Sequence, residues 1–186
     1  AVSNSNTAVG NSSMSGAMNG CADNTSLGNY SLQDMTGGVN NVAIGYYAGK
    51  ANLTGDSNVI IGHEACDGAT DVDNVVVIGT QAGTGVMTSA ADGTVAIGYT
   101  ALQALTSGIK NTAVGFEALK LSEQSDYNTA IGYQAMSTLN HTNEGENVAV
   151  GYKAMDLATT AQNCVALGNQ TMGGATLTGD YNIAIG

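Results

Sequence analysis

The stretch "NTAIGYQAM" at residues 128–136 decides the fold, because "NTAVGFEAL" at 111–119 and "NVAVGYKAM" at 147–155 are close copies of it. Aligning the chain on the glycine after the apolar triplet gives eleven glycines, from Gly10 to Gly186, at intervals of 17 to 19 residues. A fixed period along a whole chain is typical of a solenoid, in which each repeat is one coil stacked on the next. We therefore predict an all-β fold: a parallel β-solenoid or β-roll of about eleven coils of 17–19 residues.

The repeat leaves no room for a second domain. Residues 1–186 are interpreted as a single β-roll repeat array. Because the chain opens without Met and ends on the glycine of a repeat, "NIAIG", we expect it to be a fragment of a longer fibre protein.

Composition excludes several classes of function. The 186 residues include 26 glycines, no proline and no tryptophan, which is far from average globular usage. Four lysines against 15 acidic residues give a net charge of −11, which repels nucleic acid and anionic lipid. No apolar run approaches the roughly 18–20 residues of a membrane-spanning helix, so we expect neither nucleic-acid binding nor membrane insertion.

The residues before each glycine predict a strand. Their fourth position is always aliphatic, and this ladder is the predicted core: Val9, Leu27, Ile44, Ile61, Ile78, Ile97, Val114, Ile131, Val150, Leu167 and Ile185. The third position is mostly alanine, so the strand is apolar on both faces, large on one and small on the other. A coil of about 17 residues encloses little interior. We therefore expect the small-residue face to pack against other copies around a threefold axis, giving a homotrimer.

The glycine after the triplet marks a bend, where a missing Cβ permits a positive φ or a close approach of backbones. These coil-bend glycines are Gly45, Gly62, Gly79, Gly98, Gly115, Gly132, Gly151 and Gly168. A small-plus-apolar pair follows two residues later, such as "AL" at 118 and "AM" at 135, and predicts a second short strand.

These motifs carry a resemblance. The "NxAIG" or "NxAVG" strand followed by "xxA[LM]" resembles repeats of bacteriophage tail fibre and appendage proteins, and more loosely the repeats of YadA-like trimeric autotransporter adhesin heads. The resemblance implies a trimer of parallel β-rolls on a virion or cell surface. It covers nearly the whole chain and rests on short motifs.

Two side-chain columns are candidate sites. An asparagine opens the strand at Asn41, Asn58, Asn111, Asn128, Asn147 and Asn182, and stacked amides of this kind bond to the turn backbone and to their own copies. The residue after the glycine is often aromatic, at Tyr46, Tyr99, Phe116, Tyr133 and Tyr152. Such a row would either pack as a cross-strand ladder or hold sugar rings, with Tyr99, Phe116, Tyr133 and Tyr152 as the candidate glycan contacts.

Catalytic and metal-binding patterns are weak. "HEAC" places His63, Glu64 and Cys66 in one bend, but tetrahedral zinc needs three or four ligands and no partner set recurs nearby. Asp71 with Asp73, and Glu144 with Glu146, are acidic pairs that would flank a glycosidic bond or hold calcium, or simply be solvated loop charge. We expect no enzyme activity, no metal and no cofactor.

The expected function is structural and adhesive. The sequence suggests a segment of a trimeric extracellular fibre on a virion surface, in a phage tail fibre involved in host attachment. The alternative is a bacterial surface adhesin head or an extracellular filament subunit. Expected partners are the chain itself and a glycan or protein receptor on a cell surface.

Overall fold

The computed structural model describes residues 5–140, 142, 145–174 and 176–186. Within them, eleven strands of three residues form one parallel sheet in sequence order. One short 3₁₀ helix, Ser89–Ala91, lies in one of the loops. Among the described residues, no helix is long and apolar enough to cross a membrane. The strands are β1 Thr7–Val9, β2 Thr25–Leu27, β3 Val42–Ile44, β4 Val59–Ile61, β5 Val76–Ile78, β6 Val95–Ile97, β7 Thr112–Val114, β8 Thr129–Ile131, β9 Val148–Val150, β10 Val165–Leu167 and β11 Ile183–Ile185.

Each strand pairs with its own copy one repeat away, without slippage. In β7 and β8, for example, Thr112 pairs with Thr129, Ala113 with Ala130 and Val114 with Ile131. The chain therefore winds through about ten turns, and the prediction of an all-β parallel solenoid is confirmed. At about 4.8 Å per rung, the rod is about 50 Å long.

The bend glycines stack directly on one another. From Gly45 to Gly168 they adopt φ values of 131° to 141°, where L-residues are strained. A Cβ built on Gly115 would collide with the carbonyl oxygen of Gly132, and a Cβ on Gly132 would collide with that of Gly151. Glycine is required at this position for two reasons. Other residues would be strained at this φ, and their Cβ would collide with the backbone of the next coil.

We call the segment that follows each bend glycine the arm; in the coil of Gly115 it is residues 116–119. The arm is not a strand, so the expectation of a second strand is wrong. Its backbone alternates between negative and positive φ, with Glu117 at 54° and Leu119 at 50°. Because of this alternation, the N–H of Glu117 donates to Tyr99 O of the preceding coil at 2.9 Å, and the N–H of Leu119 donates to Ala135 O of the following coil at 3.1 Å. The arm is thus hydrogen-bonded to both neighbours without β geometry.

The assignment of the core to the aliphatic ladder is wrong. Ile131 retains 40% of its accessible surface, whereas the preceding Ala130 is fully buried. None of the ladder side chains is buried: Val9, Leu27, Ile131, Val150 and Ile185 are exposed, and Ile44, Ile61, Ile78, Ile97, Val114 and Leu167 are half-buried. The interior is lined instead by the third strand position, which includes Ala43, Ile60, Val77, Ala96, Ala113, Ala130, Ala149 and Ala166.

Small residues line the strand because large ones enter from the arm. Leu102, Leu119, Met136 and Met155 are fully buried, and each follows a bend glycine by four residues. The sizes compensate within some coils: where the strand brings Val77 inside, the arm position is Gly83, and where it brings Ile60 inside, the arm position is Cys66. In the coil of Ala43 the arm position is Gly49, and the space there is filled by Ile60 and Leu32 of the neighbouring coils, which lie 2.9 and 3.0 Å from a Cβ built on Gly49. The interior is therefore filled partly within a coil and partly from its neighbours.

This arrangement also corrects the expected packing between copies. The alanine face cannot contact another chain, because it is enclosed by its own coil. The face that remains open is the outer face of the sheet, formed by the second and fourth strand positions.

Candidate functional site

Asparagines form a buried column at the entrance to the strands. Asn24, Asn41, Asn58, Asn111, Asn128 and Asn147 are fully buried, and Asn182 is half-buried. Asn41 Nδ2 donates to Asn24 Oδ1 at 3.0 Å and to Gly55 O of the next coil at 2.7 Å. Its Oδ1 in turn accepts the backbone N–H of Asn58 at 3.0 Å. Each asparagine thus ties its own coil to both neighbours, which is a structural role.

The column is interrupted, and a cysteine partly replaces an asparagine at one break. Val75, Thr94 and Cys164 occupy the equivalent positions in three coils. Cys164 N–H donates to Asn147 Oδ1 at 3.0 Å, and Cys164 Sγ accepts the N–H of Asn182 at 3.4 Å. Asn182 therefore bonds to a thiol instead of another amide.

The aromatic residues after the glycines form an external row. Tyr99, Phe116, Tyr133 and Tyr152 each retain 41–49% of their accessible surface. Successive ring centroids are 5.1, 5.2 and 5.2 Å apart, and the ring planes differ by 19°, 9° and 9°. The rings therefore stack along the rod, one ring per coil.

This stacking restricts what the row can bind. Phe116 and Tyr133 have a ring against each face, so only their edges reach solvent. A sugar that packs on an aromatic face would have to use an end of the row, at Tyr99 or Tyr152. Lys153 Nζ lies 5.8 Å from the Tyr152 ring centroid, at one of these two ends.

A second aromatic cluster lies in the same column, nearer the amino terminus. Tyr46 stacks on His63 with centroids 5.3 Å apart, and its ring lies 4.1 Å from that of Tyr47. A hydrogen bond with Tyr47 raises the pKa of Tyr46 to about 12. Lys50 Nζ lies 4.9 Å above the Tyr47 ring, and Tyr30 packs at 5.0 Å from the same ring. The sequence places Tyr46 in the aromatic row, but the packing of Tyr30, Tyr47 and His63 around it was not predicted.

The side chains of "HEAC" do not converge. His63 is exposed in the aromatic column, while Cys66 is fully buried inside the coil. Burial raises the pKa of the Cys66 thiol to about 12, so the thiolate that a metal would need is disfavoured. Among the described residues, no group of three or more His, Cys, Asp or Glu side chains is placed to hold a metal ion. The free thiols of Cys21, Cys66 and Cys164 are all buried.

Aspartates form a further column that the sequence reading missed. Asp56, Asp73 and Asp92 stand two residues before the asparagine position in three consecutive coils. Asp73 Oδ1 accepts the N–H of Asp56 at 2.7 Å, and Asp92 Oδ1 accepts that of Asp73 at 2.8 Å. Burial, with a smaller contribution from the neighbouring carboxylates, raises the pKa of Asp92. Each carboxylate therefore joins two coils through a charge-assisted hydrogen bond.

The structure places both members of the first acidic pair, Asp71 and Asp73, and one member of the second, Glu146. Asp71 Oδ1 accepts the N–H of Ser89 at 3.0 Å and Asp73 is part of the aspartate column, so both carboxylates serve loop backbone. Glu144 lies outside the described residues, and Glu146 is exposed.

One charged cluster lies beside the aromatic row. Glu117 accepts hydrogen bonds from Lys120 Nζ at 2.8 Å and from Gln134 Nε2 at 2.6 Å. The bond from Lys120, followed by that from Gln134, lowers the pKa of Glu117. An equivalent bond joins Gln81 Nε2 to Glu64 at 2.9 Å.

Comparison with protein-family models, with curated proteins and with solved structures finds no significant match.

Proposed function

We propose that the chain is a rigid structural and adhesive segment of a homotrimeric extracellular fibre, in a phage tail fibre that takes part in host attachment. The observation that carries the proposal is the outer face of the sheet. Its two outward columns contain only Val, Ile, Leu and Thr through all eleven strands, whereas the chain carries a net charge of −11. No charged side chain stands at an outward position of the eleven strands.

The dimensions of the face favour contact with other copies. Eleven rungs at about 4.8 Å and three residues at about 3.3 Å give a strip of about 50 by 10 Å, or about 500 Å². This is near the upper limit of the apolar patches that monomeric proteins expose. Sheets pack face to face at about 10 Å, and β-branched side chains suit such packing.

Three copies agree with the sequence resemblance. Three parallel rods that turn these faces towards a common axis cover all three strips and leave the aromatic row and the acidic loops outside. Hydrogen bonds, asparagine amides and aspartate carboxylates all run along the rod, so each coil is held to the next by several columns at once. This makes a stiff spacer that can present a receptor-binding surface.

The mass of the native assembly tests the proposal. We expect sedimentation equilibrium to give three times the 18.6 kDa of one chain. Ile131→Asp places a charge on the outer face and should give folded monomers, because the isolated coil leaves this side chain exposed. Glu146→Ala, at an exposed loop position, is the matched control and should remain trimeric. A monomeric wild-type mass, or a trimer of Ile131→Asp with unchanged melting temperature, would overturn the proposal.

A further inference from the structure

The aromatic column is missing one ring. Tyr46 and His63 stack in consecutive coils, Thr80 occupies the next coil, and Tyr99 begins the row that ends at Tyr152. Thr80 is exposed and follows Gly79 directly, so it holds the same place in its coil as the aromatic residues hold in theirs. The strand of this coil, β5, is paired in full register with β4 on one side and β6 on the other. The gap is therefore a slot in a regular column.

The spacing of the column sets the width of the slot. Neighbouring rings elsewhere in the column are 5.1 to 5.3 Å apart. Two such steps separate His63 from Tyr99, so their ring centroids are expected to lie about 10 Å apart along the column. Tyr46 covers one face of His63 and Phe116 covers one face of Tyr99, which leaves the other face of each ring on the side of the gap.

A six-membered ring fits a slot of this size, because Phe116 and Tyr133 each fill one place of the same column between two rings. A pyranose chair is such a ring, and it carries C–H groups on both faces. Two aromatic walls would hold such a sugar ring by its apolar C–H faces and leave its hydroxyl groups at the edge.

Polar groups lie where those hydroxyl groups would project. Gln81 follows Thr80 in the chain, and its amide donates to Glu64 Oε2 at 2.9 Å. His63 Nδ1 lies 3.7 Å from the same carboxylate oxygen. Hydrogen-bonding groups of the two coils that border the slot on this side are therefore available next to Thr80. The carboxylate and the overall charge of −11 disfavour an acidic sugar.

We propose that the slot between His63 and Tyr99 is a subsite for one neutral hexopyranose ring of a cell-surface polysaccharide. The inference rests on the adhesive function proposed above and names the chemistry of the receptor. The faces of Phe116 and Tyr133 are already covered, and Tyr152 at the far end of the row offers one ring where the slot offers two.

Saturation-transfer NMR on the full chain tests the subsite. The probes are four neutral hexasaccharides, built of glucose, mannose, galactose and N-acetylglucosamine. At least one should receive saturation at its ring C–H protons. Thr80→Tyr should abolish this transfer by completing the row, and the variant should fold because tyrosine occupies the same place in four other coils. Tyr99→Ala should weaken binding about five- to tenfold, the effect of losing one stacking contact.

Two control variants keep the test specific. Thr80→Ala leaves the slot open and should bind as the wild type does. Tyr133→Ala removes a ring from inside the row and should also leave binding unchanged. The inference is overturned if no hexasaccharide binds, if Thr80→Tyr still binds, or if Tyr133→Ala weakens binding as much as Tyr99→Ala. The assembly mass is measured on the same samples, so a failure of the subsite in an intact trimer is distinguishable from a failure of the fibre.

Discussion

The α-carbon of Gly115 lies beneath the carbonyl oxygen of Gly132, so closely that a Cβ on Gly115 would collide with that oxygen. We expect Gly115→Ala to lower the free energy of unfolding by about 3 kcal/mol or more, because alanine would be strained at a φ of 141° and would also push two coils apart. Urea unfolding followed by circular dichroism measures the loss.

Gly93→Ala tests a positive φ at a position without a neighbouring backbone. Gly93 has a φ of 71°, and a Cβ there would meet nothing closer than Lys110 Cγ at 3.5 Å. This variant should therefore lose only about 1 kcal/mol, the cost of the backbone angle. Equal losses in the two variants would show that the stacking of the bend glycines adds nothing.

The two faces of one strand should respond differently to added volume. Ala113 is fully buried opposite the arm, so Ala113→Leu should cost about 1–3 kcal/mol or more by overpacking. Thr112, one residue earlier, points to the outer face. When both variants are made in the monomeric Ile131→Asp background, where no partner chain covers that face, Thr112→Leu should change stability by less than about 1 kcal/mol. Thermal unfolding of both variants decides the matter. A larger loss for Thr112→Leu than for Ala113→Leu would mean that the outward side of the strand, and not the inward side, forms the core.

Removal of one amide from the asparagine column should be costly. Asn41→Ala leaves the N–H of Asn58 and the carbonyl of Gly55 without the side-chain partner that each has now. Each buried group left unpaired costs about 1–3 kcal/mol, so we expect a total loss of about 3 kcal/mol. Asn169→Ala, at an exposed position, is the control and should be neutral in the same urea titration.

A serine pair replaces the usual alanines in the second coil. Ser26 Oγ donates to Ser31 O at 3.0 Å and contacts Ser31 Oγ, while Ser13 Oγ donates to Ser26 Oγ at 2.8 Å. Ser26→Ala alone should cost about 1–2 kcal/mol, because it removes the hydrogen bonds of a buried hydroxyl group while Ser31 Oγ keeps its bond to Gly28 O. The double variant Ser26→Ala with Ser31→Ala should cost less than the sum of the single variants, with a coupling of at least about 0.5 kcal/mol. Strict additivity in the double-mutant cycle would contradict this network.

The buried thiol of Cys66 predicts a loss of stability at alkaline pH. Its pKa is raised from 9.0 to about 12 in the folded chain, so the unfolded chain releases this proton first. Its stabilising contribution is complete below pH 9.0 and is lost as the pH rises towards 12, by about 1.4 kcal/mol per pH unit. Cys66→Ala should show a shallower decline than the wild type when unfolding is measured between pH 8 and 11. Parallel declines would mean that the thiol ionises equally in both states.

The repeat period, the strands and the bend were predictable because each depends on local sequence. The triplet before Gly132 is apolar and β-branched, and a glycine recurs at fixed spacing. The inward face was not predictable by the same reasoning, since alternation in a three-residue strand separates two apolar faces without saying which one the coil encloses. The deciding signal lay elsewhere in the repeat. Where the strand carries Val77 instead of alanine, the arm carries Gly83 instead of leucine or methionine.

The arm and the candidate sites were less accessible from sequence. Leu119 and Met136 are poor indicators of positive φ, and Gly49 and Gly83 were the only glycines at this position to suggest it. The stacking of Tyr99 on Phe116 follows from the repeat period once the register is known. The position of Thr80 can be recognised as a gap in the column only because His63 stacks on Tyr46 in the preceding coils.

Coils that fill their own interior make the length of the rod adjustable. Since Ala113 and Leu119 fill their own coil, as Ala130 and Met136 fill the next, a duplicated 17-residue unit would bring its complete interior with it. Its asparagine would join the existing column, and its bend glycine would stack between two others. Duplication of one repeat in the gene would therefore lengthen the rod by one coil, about 4.8 Å, without changes to the sequence of the neighbouring coils.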